Sequence, residues 1–252
     1  MGQRTVNTLD ATQSATVSKS RLIALVVFAL TLPTLVTLVY FVWLKNYSPA
    51  IQQGSYAIGK SIQFLLPVAW VWYASRHRIG WRIKTNGLWI PILFGVIAAA
   101  AMLALYQWGL KGTDRFEGPA AAIQEKVSGM ALDSVVRFAA LGIFYSLVHS
   151  FLEEYYWRWF VFIELRKLCS LPVSILISSI GFMAHHVIVL AIYFGWTSFL
   201  TYFFSFSVGV GGAVWAYCYN RNGSLFGPWI SHLLVDAAIF LIGFDIVRHS
   251  FG

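Results

Sequence analysis

From residue 22 onward the chain is a succession of long apolar runs separated by short polar breaks. Seven runs, roughly 22–44, 55–74, 88–110, 134–156, 171–194, 197–219 and 225–247, each approach the length a helix needs to cross a hydrocarbon core. An eighth crossing fits if the stretch 119–168 breaks in two. The pattern predicts an all-α fold, a polytopic transmembrane helical bundle of about 7–8 spans. Three clusters of polar residues interrupt the apolar runs: Glu153-Glu154-Tyr155-Tyr156-Trp157-Arg158, Phe182-Met183-Ala184-His185-His186 and His232-Leu233-Leu234-Val235-Asp236.

Composition agrees with a membrane class: of 252 residues, 58% are hydrophobic and 11% charged. Arg4, Lys19 and Arg21 precede the first run. Arg76, Arg78, Arg82 and Lys84 fill the second break, Arg166 and Lys167 the fourth, and Arg221 the sixth. The odd breaks carry little net positive charge, so the positive-inside rule places the N-terminus and the even loops in the cytoplasm. An odd number of spans puts the C-terminus outside. The net charge of +8 is then mainly a topology signal. Its scatter over loops argues against a nucleic-acid partner.

Residues 1–20, rich in Ser, Thr and Gln, read as a disordered cytoplasmic tail, and 21–252 as one transmembrane domain with its motif-bearing core at 133–247. Gly2 does not make a myristoylation signal, because Val6 stands where Ser or Thr is needed. The first apolar run is too long for a signal-peptide core and lacks a small-residue cleavage site, so it reads as a retained anchor. Cys169 and Cys218 have no metal-ligand spacing and sit where a disulfide is not expected. In 111–133 the charges balance, and the run after Pro119 has helical composition. That segment reads as a solvated connector at the outer interface.

Ionisable side chains at membrane depth are costly and usually mark a pathway or a site. Counting ~1.5 Å per residue, Glu153 lies ~20 Å before the Arg166-Lys167 pair and His186 ~20 Å after Pro172. His232 lies ~15 Å after Asn222, so all three reach a similar level near the bilayer midplane. Adjacent helical residues point about 100° apart, so Glu153 and Glu154 have different tasks. Glu154 precedes Arg158 by four residues, the order that favours an intrahelical ion pair. Glu153 is left without an obvious local partner. His149 shares its face and could tune it, or could simply pack between helices. Phe182 and His186 share a face, as do His232 and Asp236, while His185 points elsewhere.

The order EExxxR, FxxxH, HxxxD, each on its own helix, resembles the CAAX protease and bacteriocin-processing family. That family includes type II CAAX prenyl endopeptidases and Abi-type self-immunity proteins. The resemblance covers roughly 150–240 and rests on Glu153-Glu154-Arg158, Phe182-His186 and His232-Asp236. It implies intramembrane hydrolysis of a peptide bond in a membrane-associated peptide or lipidated protein. Glu153 would activate a water that His186 helps to hold. His232 and position 236 would stabilise the oxyanion, and Glu154 with Arg158 would brace the site.

Asp236 departs from the prenyl endopeptidases, which have Asn there. A carboxyl group donates a hydrogen bond only when protonated; alternatively Asp236 orients His232 as an imidazolium. Glu153, His186, His232 and Asp236 are also an acceptable donor set for zinc. The resemblance to glutamate-based enzymes favours a mechanism without metal or other cofactor. Two other classes stay open. A silent scaffold or immunity factor would keep the fold without turnover. A proton-coupled transporter would use the same residues as a relay, but it predicts an inverted repeat or paired half-helices that the sequence lacks. Gly209, Gly211 and Gly212 read as close helix packing. The expected setting is a bacterial inner membrane; substrate identity and oligomeric state have no signature in the chain.

Overall fold

The computed structural model describes residues 17–75, 85, 87–130, 132 and 134–251. Most of the expected tail, the basic residues Arg76, Arg78, Arg82 and Lys84, and Asp133 lie outside the described residues. Among those described, all regular structure is helical. The elements are α1 (Lys19–Trp43), α2 (Pro49–Trp70, continued in wider turns over Val71–Ser75), α3 (Trp89–Leu110) and α4 (Asp114–Gly129). They continue with α5 (Val135–Arg166), α6 (Leu171–Phe194), α7 (Phe199–Asn222) and α8 (Phe226–Val247). Six of these helices are long and apolar enough to span a membrane, which makes the chain a multi-pass membrane protein. The seventh expected span, α2, has the length, but Gln52, Gln53, Lys60 and Gln63 dilute its apolar character.

The possible eighth crossing resolves differently: 135–166 is one continuous helix of 32 residues, and the preceding segment is the separate helix α4. α4 starts at Asp114, five residues ahead of Pro119, with Asp114 and Glu117 in its first turn, where the helix dipole favours them. Its apolar side, through Phe116, joins Tyr106, Phe138 and Val247 in a cluster at one end of the bundle.

Helix boundaries follow local chemistry. The Ser18 hydroxyl accepts from the Arg21 N–H at the start of α1, and Ser134 does the same for Arg137 in α5. Pro49 and Pro172 occupy first-turn positions, where a missing N–H costs nothing. α6 and α7 form a hairpin whose turn passes through Gly195 at φ 88°, a backbone state that suits glycine.

α5 is the central strut. Tyr156, Trp157, Arg158, Phe160, Val161 and Phe162 are each at most 2% exposed, enclosed by α1, α2, α6 and α7. Pro33 inside α1 has no N–H to offer the carbonyl of Ala29 one turn earlier. The Tyr156 hydroxyl donates to that carbonyl at 2.6 Å, so the proline's lost bond becomes a tie between α1 and α5. α3 and α8 pack with their backbones in near contact. A Cβ built on Gly95 would sit 2.8 Å from the Ser231 carbonyl oxygen, beside His232. Small residues thus bring α8 close to α3 and fix the position from which its polar residues project.

Candidate active site

Wide π-type turns over Phe144–His149 and Tyr155–Phe162 flank a short regular segment of α5, Ser150–Glu154. Such turns are rare and recur at functional sites, because they change which side chains share a face. From this segment Glu153 and Glu154 enter the bundle, with side chains 3% and 0% exposed.

Glu154 belongs to the frame. Its Oε2 lies 3.1 Å from Arg158 Nε, and its Oε1 accepts from His232 Nδ1 at 2.9 Å. Arg158 is held on other sides as well. Its guanidinium lies over the rings of Phe182 (4.6 Å) and Trp215 (5.1 Å), and Nη2 donates to the Gly212 carbonyl at 3.4 Å. A Cβ at Gly212 would come within 3.2 Å of Phe182, so glycine there admits the arginine. Nη1 of Arg158 has no hydrogen-bond partner among the described residues, so the guanidinium is held by the Glu154 carboxylate, the Gly212 carbonyl and the two aromatic faces.

Glu153 is ringed by imidazoles. Nε2 of His185 lies 3.7 Å from its Oε1, Nε2 of His149 3.8 Å from the same oxygen, and Nε2 of His232 3.9 Å from Oε2. These separations exceed direct hydrogen-bond lengths and are within the range one shared water can serve. The apparent lack of a local partner for Glu153 is therefore corrected: His149, one turn earlier on α5, faces it.

His232 connects both carboxylates. With Nδ1 on Glu154, its Nε2 points toward Glu153 and toward Asp236 Oδ1, 3.5 Å away. Trp215 stacks on its ring at 4.3 Å with a tilt of 16° and is itself held by a hydrogen bond from Nε1 to Ser231 Oγ. Orientation and both hydrogen-bonding edges of His232 are fixed by this setting.

The histidine pair of α6 differs from the sequence expectation. His185, expected to point away, stacks parallel to Trp157 (ring centroids 5.9 Å apart) and faces Glu153. The half-buried His186 packs against Phe182 at 4.8 Å, and its Nδ1 lies 2.9 Å from the Phe182 carbonyl oxygen. A carbonyl only accepts, so Nδ1 carries the proton and Nε2 remains a lone-pair site. The two rings are 4.2 Å apart. The helix-face argument missed His185 because the rotation of α6 against α5 decides which of two adjacent residues looks inward. Trp215 and Ser231 carried no signal at all, since aromatic and small residues are ordinary in membrane helices, and Gly212 was read only as close helix packing.

For zinc, the proposed donors do not gather around one point. No group of three or more His, Cys, Asp or Glu among the described residues is arranged to hold a metal ion.

The fold and the buried carboxylate–imidazole–guanidinium cluster together define a polytopic helical membrane protein with an ionisable centre inside its bundle. Residues 135–238, which carry all three motifs, match the family described as Type II CAAX prenyl endopeptidase Rce1-like. That match agrees with the resemblance of the motif-bearing part of the chain to the CAAX protease and bacteriocin-processing family. No curated protein and no solved structure matches the chain.

Proposed function

We propose that the protein is an intramembrane endopeptidase that hydrolyses a peptide bond of a membrane-associated or lipidated substrate. The observation that carries the reading is the ring of imidazoles around the buried Glu153 carboxylate, at 3.7–3.9 Å. In this mechanism Glu153 takes a proton from a water held between its carboxylate and the α6 histidines. His185 faces the carboxylate, and His186 offers Nε2 as an acceptor. The resulting hydroxide attacks the scissile carbonyl, and the proton on Glu153 passes to the departing amine.

The oxyanion that develops is met by His232. Nδ1–H is committed to Glu154, so in this mechanism His232 donates to the developing charge from Nε2 as an imidazolium, with Asp236 beside that nitrogen. Asp236 then orients His232 and does not act as a donor itself. Glu154 and Arg158 hold this arrangement. We place the N-terminus in the cytoplasm, on the distribution of basic residues.

The test compares peptide termini in membranes of cells producing the wild type or Glu153→Gln at equal abundance. Termini present with the wild type and missing with the variant are expected, and they name the substrates. Identical termini in both would overturn the hydrolase reading and leave a scaffold or immunity role.

A further inference from the structure

Two ammonium groups have no carboxylate within 4.0 Å among the described residues: Lys60 on α2, on the side of the Glu153 centre, and Lys126 on α4, beside the end of α1. Both side chains are half-buried. Lys126 Nζ donates to the Tyr40 hydroxyl at 3.2 Å and lies over the Tyr40 ring at 5.0 Å. Lys60 Nζ lies over Tyr56 at 5.7 Å and Phe64 at 5.4 Å. The Tyr40 and Tyr56 rings are 4.9 Å apart, so the two lysines bracket a pair of phenols. Tyr56 in turn lies beside Tyr145 of α5.

This row leads to the proposed catalytic carboxylate. The Tyr145 ring is 4.8 Å from that of His149, whose Nε2 is 3.8 Å from Glu153. Phe64, under Lys60, is 6.5 Å from the same His149 ring. Lys60 is close enough to Glu153 to interact with it electrostatically. Partly desolvated cations with no carboxylate in direct contact favour an anion, and phenol hydroxyls are additional donors for it.

We propose that Lys60 and Lys126, with the hydroxyls of Tyr40, Tyr56 and Tyr145, form a subsite that holds a carboxylate of the peptide substrate next to Glu153. The proposal rests on the hydrolase reading for the substrate's identity as a peptide. A lipid phosphate is the less fitting occupant. Lys60 lies ~17 Å along α2 from Pro49, far below the level of a headgroup, while Lys126, beside Tyr40 near the end of α1, marks the outer mouth of the subsite. The segment α4, expected as a plain connector, thereby contributes a binding residue. The substrate enters from the end of the bundle where α1 finishes and α5 begins.

The test reads binding without turnover. Full-length Glu153→Gln protein in a neutral maltoside detergent is titrated with three fluorescent apolar nonapeptides. One ends in a free carboxylate, one in an amide, and one is amide-ended with an internal aspartate. At least one acid-bearing probe is expected to bind about tenfold more tightly than the neutral amide, as for a charge-assisted hydrogen bond. Which acid wins distinguishes a C-terminal carboxylate from an acidic side chain. Lys60→Met and Lys126→Met should each reduce the preference and the double variant abolish it. Lys60→Arg and the exposed control Lys45→Met should keep it.

Equal binding of all three probes overturns the proposal, as does a preference that survives the double variant. Stabilisation by phosphatidylglycerol that depends on Lys60, with no preference among the peptides, overturns it in favour of a lipid headgroup site. Because no cleavage is read, these outcomes are independent of the comparison of termini that tests the hydrolase reading.

Discussion

At the level of single residues, two adjacent glutamates do opposite work because a helix turns about 100° between them. Glu154 is locked between Arg158 and His232, so removing either member of the ion pair leaves a buried charge uncompensated. Glu154→Gln and Arg158→Met are expected to destabilise the protein by about 3–5 kcal/mol, as lower melting temperatures in detergent or lost membrane abundance. Near-wild-type melting of both variants would contradict the bracing role. His185→Ala and His186→Ala should each lower cleavage by on the order of 10²-fold while leaving abundance unchanged, as general acid–base partners do. The Glu154–Arg158 pair was legible from spacing alone. The inward-facing member of the His185–His186 pair was not, because neither helix rotation nor the wide turns of α5 leave a trace in the order of residues.

Among elements, the site depends on how closely α8 approaches α3. Gly95 meets the backbone of Ser231, and the next residue is His232. Gly95→Val must push the helices apart, since a Cβ there would lie 2.8–2.9 Å from backbone atoms that cannot rotate away. Cleavage is expected to fall at least tenfold with the protein still inserted; cleavage at the wild-type rate would show that α8 is positioned by other contacts. The glycines noted in the sequence were those of α7. Gly212 does make room, for Arg158 and Phe182, but the tightest helix contacts fall at Gly59, Gly95, Gly181 and Gly227. A glycine's packing role depends on what faces it across the bundle, which an isolated sequence does not record.

Across the whole molecule, apolar run length located all seven long helices, because crossing a hydrocarbon core sets a minimum length. It did not separate α2, which is polar on the side bearing Gln63 and near Lys60, from a plain lipid-facing span. The proposed topology places the α6–α7 turn outside and the α7–α8 turn inside the cell. In a background lacking Cys169 and Cys218, a cysteine at Trp196 should react with a membrane-impermeant maleimide in intact cells, and one at Asn222 only after lysis. The reverse pattern would invert the orientation and place the Lys60–Lys126 entrance on the cytoplasmic side.

The most direct measurement is the cleavage rate of purified Glu153→Gln against wild type, on a peptide identified from the termini, with melting recorded on the same preparations. The variant keeps the size of the side chain and the whole Glu154–Arg158–His232 frame but loses the carboxylate that activates water. It should melt close to the wild type and cleave at least ~10²-fold more slowly. A folded variant that cleaves at the wild-type rate would remove Glu153 from the chemistry and the mechanism with it.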